Sequence, residues 1–304
     1  MIDVCLLGTG GMMPLDYRYL TSLLVRVNGK MILIDCGEGT QIPFRKVGWG
    51  VANLDAILFT HFHADHIAGL PGLLLTLQNA GRKEPLFLVG PSGLESVVKS
   101  LLVIAKNLTY ELVFVTTSSN EFPIKLGQLD VDYLYVDHNV SCVAYSLKLD
   151  RAGKFDVKKA KENNVPLKAW NLLQKGEEVS VDGKKFTPDM VLGKERKGLK
   201  LSYCTDTRPI KGIEDFVAGS DLFVCEGMYG DNELFEKACD KKHMTFSEAA
   251  NLAKDAFVSE LWLTHFSPSM NCPWEYSHVA KSIFKNTVIA KDLIKKTLVF
   301  PEEE

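Results

Sequence analysis

The sequence predicts an α/β fold, and three observations carry that expectation. Short, β-rich apolar runs recur early in the chain, separated by glycine turns. Helix-like segments with apolar residues at helical spacing follow them. The residues best suited to chemistry come directly after strand-like runs, at the C-terminal strand edge where open sheets usually hold their sites.

The expected strands are Val4–Leu7, Ser22–Val27, Met31–Ile34, Ala56–Phe59 and Leu86–Val89. Asn28-Gly29 lies between the second and third, a two-residue signal for a hairpin turn. Gly8-Thr-Gly-Gly11 lacks the third glycine of a dinucleotide fingerprint and reads as a tight turn after the first strand. Helices are expected over 67–79, 92–106 and 246–258. The last opens on Thr245-Phe-Ser-Glu248, a capping box, and places Phe246, Ala249, Ala250, Ala253 and Phe257 on one face, expected as core. Residues 150–200 break this rhythm with weak periodicity, Pro166 and Pro188, and read as an excursion from the main fold rather than a domain of their own. Within 151–200 stand thirteen Lys and Arg against seven Asp and Glu. Such a segment on an acidic body is either a phosphate-binding appendage or a solvated loop.

The 304 residues are 46% hydrophobic and 24% charged, with net charge −3, as in ordinary soluble proteins. No apolar run reaches the ~18 residues that span a bilayer, so no membrane role is expected. The start Met-Ile-Asp-Val-Cys-Leu-Leu-Gly has no basic leader, and the expected location is the cytoplasm. Seven scattered cysteines without a Cys-x-x-Cys pair read as reduced core residues, not as a zinc–cysteine site.

Thr60-His61-Phe62-His63-Ala64-Asp65-His66 puts three of the seven histidines and a carboxylate into six residues. Imidazole and carboxylate suit zinc and its divalent relatives. At the strand end the period of two sets His61 and His63 on one side. Asp65 and His66, past the turn, then face another point, which implies two neighbouring metals. Three more strand-like runs end in ligand-capable residues: Tyr133–Asp137 before His138, Leu201–Thr205 before Asp206, and Leu261–Thr264 before His265.

Further motifs surround these residues: Leu7-Gly-Thr-Gly10, Ile34-Asp-Cys-Gly-Glu-Gly-Thr-Gln41, Gly69-Leu-Pro-Gly-Leu73, Thr205-Asp-Thr207, His243-Met-Thr-x-x-Glu-Ala-Ala and Leu263-Thr-His265. In them the chain resembles the metallo-β-lactamase superfamily and, within it, the ribonuclease Z family, over nearly its whole length. The resemblance implies a four-layer αββα sandwich, one domain over 1–304 with a basic arm inserted at about 150–200. It assigns His61, His63 and His138 to one zinc, and Asp65, His66 and His265 to the other, with Asp206 bridging; manganese or iron could occupy the same set. It implies an endoribonuclease that removes the 3′ trailer of precursor tRNA, water being acidified by the metals to give the attacking hydroxide. Asp65, His243 and Glu226 would serve protonation of the departing 3′-oxygen, Glu226 holding His243 as a cation. The arm would grip the tRNA elbow, and, since relatives of this size are usually homodimers, the resemblance implies a homodimer.

Three stretches depart from the family pattern. The substrate loop Pro-x-Lys-x-Arg-Asn reads Pro14-Leu-Asp-Tyr-Arg18-Tyr19, Asn164-Val-Pro-Leu-Lys-Ala-Trp170 stands where a Gly-Pro arm tip belongs, and Cys225-Glu226-Gly-Met228 replaces His-Glu-Ala-Thr. The ligand set is untouched; the departures fall on recognition. Hydrolysis of a small phosphodiester or other ester on the same scaffold is therefore the competing expectation.

Overall fold

The computed structural model describes residues 1–118 and 122–302. Two compact units result, Met1–Lys148 with Lys200–Val299, and Leu149–Leu199 with the residues from Phe300 on. The strands are β1 (Ile2–Gly8), β2 (Ser22–Val27), β3 (Lys30–Ile34), β4 (Leu54–Leu58), β5 (Leu86–Gly90), β6 (Leu112–Thr116), β7 (Ile124–Leu126), β8 (Leu129–Val136), β9 (Cys142–Arg151), β10 (Val179–Val181), β11 (Lys184–Phe186), β12 (Arg196–Cys204), β13 (Leu222–Glu226), β14 (Leu261–Thr264), β15 (Thr287–Ile289) and β16 (Ile294–Leu298).

The first unit is built on two sheets, ordered β16-β1-β2-β3-β4-β5-β6 and β15-β14-β13-β12-β9-β8-β7. In the first, β3 to β6 run parallel while β16, β1 and β2 are antiparallel. The β2–β3 turn is the expected hairpin, with Asn28 and Gly29 both at positive φ. Cys5, Leu7, Leu24, Leu33 and Ile57 face the helices Gln41–Val47, Leu70–Asn79 and Leu94–Leu101. The alternate residues Val4, Leu6, Leu23, Ile32, Ala56 and Leu58 are buried on the other face, as a sheet covered on both sides requires. There the Tyr145 hydroxyl on β9 donates to the Phe59 carbonyl at 2.8 Å, joining the two sheets. In the second sheet β12 to β15 are parallel, and Phe223, Cys225, Leu261 and Leu263 pack on the helices Ile213–Val217, Phe246–Asp255 and Ser277–Ile283. Burying such a side chain contributes about 1.5–3 kcal/mol; it is this core that fixes the strand ends in space. This is the α/β architecture that the sequence predicts, two mixed sheets packed against helices.

The second unit has its own small core of Ala160, Val165, Ala169, Leu173, Phe186 and Val191. Asp156 caps the helix Val157–Glu162 by accepting from the Lys159 amide, and Pro166 opens the helix Leu167–Gln174. Asp182-Gly183, both at positive φ, turn β10 into β11.

Several local expectations change. β4 stops at Leu58, so His61 and His63 lie in a loop and the period of two does not place them. The helix expected over 67–79 is two, Ala64–Ile67 and Leu70–Asn79. Between them Gly69 lies so close to Gly37 that a Cβ would come within 1.9 Å of the Gly37 carbonyl oxygen. The 246–258 helix keeps its capping box but ends at Asp255. Phe257, expected in the core, lies past that end at φ 52° and is 85% exposed. Of the seven free cysteines five are buried, Cys239 is exposed and Cys272 half-buried. Among the described residues no helix is long and apolar enough to cross a membrane.

Candidate metal centre

The parallel strands of both sheets deliver their C-terminal ends to one place. Asp35 follows β3, the histidine loop follows β4, Asp206 follows β12, Glu226 ends β13 and His265 follows β14. His138 arrives two residues after the antiparallel β8.

His61, His63 and His138 converge first. The His61 Nε2 stands 3.0 Å from the His63 Nδ1, and the His138 Nε2 is 3.2 Å from that same nitrogen. The outward nitrogens are held: His61 Nδ1 by the Thr60 hydroxyl at 3.0 Å, His138 Nδ1 by the Lys242 carbonyl at 3.3 Å. Asp65, His66 and His265 form the second group. His66 Nε2 is 3.2 Å from His265 Nε2 and 3.4 Å from Asp65 Oδ2. Asp206 serves both sides, Oδ2 lying 3.3 Å from His66 and His265, and Oδ1 3.9 Å from His61 and His138.

These distances test whether a metal fits. Ligands about 2.0–2.2 Å from a tetrahedral zinc stand about 3.3–3.5 Å from one another, close to the spacings in each group. Imidazole nitrogens face each other at such range when their lone pairs share a cation. Charge agrees. Burial opposes ionisation of Asp206, yet the surrounding imidazoles outweigh it and hold its carboxyl well below the usual range. Burial likewise disfavours the His66 cation, but Asp206 and Asp35 push its pKa well above the ordinary value. The carboxylates of the centre stay charged among its imidazoles, and the residues fit two divalent ions, one per group, with Asp206 between.

Asp35, not among the expected site residues, is the strongest anchor beneath this layer. Fully buried, it accepts from the Thr60 amide at 2.8 Å and sits 2.9 Å from His66 Nδ1. It fixes which His66 nitrogen turns inward. Gly11 backs the other ring, since a Cβ there would come within 2.6 Å of His265.

Beside the metal groups lies His243. The helix Phe235–Lys241 ends in a left-handed turn at Lys242, and the next residue drops into the cleft. His243 Nδ1 is 3.0 Å from Glu226 Oε2; Glu226, wholly buried, also accepts from the Thr207 and Met244 amides. Burial pulls the His243 pKa down, but Glu226, Asp206 and Asp65 prevail and push it up to about 9. Arg208 bonds the His243 carbonyl and pairs with Glu248 of the capping box, tying the turn to its helix. The open cleft is lined by Met12, His63, Asp65, His138, Tyr229, Lys237, Lys241, His243 and His265.

All nine residues expected at the site, the seven ligand candidates with His243 and Glu226, are thus brought together. Arg18 of the expected substrate loop is not. Its guanidinium is buried and donates to the carbonyls of Met270 and Asn271, over the Phe266 ring.

Two sheets flanked by helices, with imidazoles and carboxylates gathered at one edge, define a metal-dependent hydrolase of the metallo-β-lactamase fold. The metallo-β-lactamase fold protein YhfI from Bacillus subtilis superposes with TM-score 0.70 at 20% identity, covering 98% of this chain and 100% of that one. The short form of human tRNase Z gives TM-score 0.69 at 22% identity, covering 99% and 100%. Residues 2–159 match the family model described as Anti-Pycsar protein Apyc1. Ribonuclease Z of Clostridium acetobutylicum is 52% identical over 306 residues, spanning 99% of each chain. The chain therefore belongs to the ribonuclease Z family, its N-terminal half also to the family of that Apyc1 model.

Proposed function

We propose that this enzyme cuts precursor tRNA on the 3′ side, freeing the trailer, with two zinc ions held by His61, His63 and His138 and by Asp65, His66 and His265, Asp206 shared. The observation that carries the reading is the convergence of these seven side chains beside a separately held His243, in a chain 52% identical to a ribonuclease Z. Two such ions supply charge neutralisation to a phosphodiester and make water acidic enough to yield hydroxide near neutral pH.

The chain's own residues do the rest. Asp35 and Thr60 lock His66 and His61 in the tautomers that turn a lone pair inward. Glu226 holds His243 through Nδ1, leaving Nε2 to serve the cleft and donate a proton to the departing 3′-oxygen. Asp65 accepts the Met12 amide at 2.6 Å, fixing the lip of the cleft beside the reacting bond. We take the residues at about 150–200 as an arm of one metallo-β-lactamase domain, its lysines binding the tRNA backbone, and the working form as a cytoplasmic homodimer.

A second reading, hydrolysis of a small phosphodiester or other ester, is favoured by the burial of Arg18, which is not offered to RNA. The deciding experiment incubates purified protein with a precursor tRNA carrying a 3′ trailer, with and without chelator. One cut at the trailer junction, lost on chelation and regained with zinc, supports the first reading. Metal-dependent turnover of bis(p-nitrophenyl) phosphate with the precursor left intact overturns it in favour of the second. Sedimentation at a monomer mass would remove the dimer.

A further inference from the structure

The turn that carries His243 into the cleft also sets two lysines on its wall. The helix Phe235–Lys241 packs its buried Ala238 against Met228 and Tyr229. Lys237 and Lys241, four residues apart and so on one face of the helix, both line the cleft with His63, His138 and His243. Lys237 lies over the Tyr229 ring, its Nζ 5.3 Å from the centroid. Among the described residues no carboxylate pairs with it. Lys241 pairs, among the described residues, with its neighbour Asp240 at 2.9 Å and well exposed, a contact that adds little.

A lysine held on an aromatic face without a counter-ion keeps its charge available at a fixed place. The metal groups account for the phosphate being cut, and neither lysine is needed there. A polynucleotide brings further phosphates along the strand on either side of the cut one, and a cationic wall of the same cleft can meet them.

We infer that Lys237, steadied by Tyr229, together with Lys241 forms a clamp for the phosphates next to the scissile one, so that the site favours a polynucleotide strand over an isolated diester. The clamp rests on the nucleic-acid reading above. Its residues are positioning residues, felt through substrate binding rather than through the chemical step.

The test measures kcat and KM of the metal-loaded enzyme on precursor tRNA at several salt concentrations, for wild type, Lys237→Ala, Lys237→Arg and Lys241→Ala. Lys254→Ala, on the remote helix Phe246–Asp255, is the control. The expected result is a KM raised about tenfold in Lys237→Ala with kcat within about twofold. The slope of log affinity against log salt should shrink by about one for each lysine removed. Lys237→Arg restores most of the affinity, and filter binding under chelation shows the same slopes without turnover. An unchanged KM and salt slope overturn the clamp. So does a loss in kcat matched on bis(p-nitrophenyl) phosphate, which marks damage to His243 instead. Should the wild type leave precursor tRNA whole, short ribo-oligonucleotides separate the two ideas: the tRNA reading falls, while the clamp still demands that a trinucleotide outpace a dinucleotide and that Lys237→Ala erase the gain. No gain in the wild type overturns it.

Discussion

The two halves of the metal centre are built differently. His61, His63 and His138 are three imidazole donors, with His63 partly open to solvent and His138 resting on a 3.3 Å contact to a carbonyl. Asp65, His66 and His265 include a carboxylate of their own, and His66 stands on Asp35, a buried side chain that also accepts from the Thr60 amide. Only Asp206 is common to both. The second half is thus the better anchored and the more negative, the first the more adaptable. A centre suited to hold metal while admitting a bulky phosphodiester gains from that division.

Substitutions can break or sharpen the contrast. Asp206→Ala strikes both halves and should lower activity more than about 1,000-fold, since several kcal/mol of charge stabilisation goes with the ions. Elemental analysis should find fewer than one zinc per chain; two retained zincs would end the idea of a shared anion. His63→Ala touches only the open half. It should cost about 100-fold in activity while native mass spectrometry finds one ion kept, and loss of both would mean the halves do not bind independently. Asp35→Ala tests the anchor, with metal affinity or activity down about 10–100-fold. The Thr60 amide and His66 Nδ1 lose a buried partner at about 1–3 kcal/mol each, so thermal unfolding should fall in step. A wild-type melting temperature would show that Asp35 anchors nothing. Glu226→Gln lies outside both halves and should have the smallest effect, about tenfold in kcat. The raised pKa of His243, about 9, keeps its acid form present below that pH. Without the carboxylate that pKa drops, so the alkaline limb of the rate profile should move to lower pH; an unmoved limb would clear Glu226 of the role.

Much of this centre can be read in the chain because strand ends announce themselves. His138, Asp206 and His265 each follow an apolar run, and the sheet edge gathers what such runs end in. The same signal stands at Ile34-Asp35, but its partner His66 lies 31 positions away and only the fold unites them. Arg18 hid in the same manner, its acceptors Met270 and Asn271 being 252 and 253 residues distant. His61 and His63 do converge, though not through strand alternation, because β4 has ended by Leu58. Phe257 fits the helical spacing of its neighbours but falls beyond the helix end, where spacing has no meaning.

Asp35, Asp206 and His265 share one further trait: their backbones are left-handed, at φ 62°, 53° and 57°. Asp and His tolerate this region better than most residues, at about 1–2 kcal/mol apiece against an ordinary conformation. The chain therefore uses its main-chain torsions to help aim these three side chains. Such positions would accept asparagine far more readily than valine, whatever becomes of the ions. Asp206→Asn would keep the bend and discard the charge, setting apart two demands that one residue now meets.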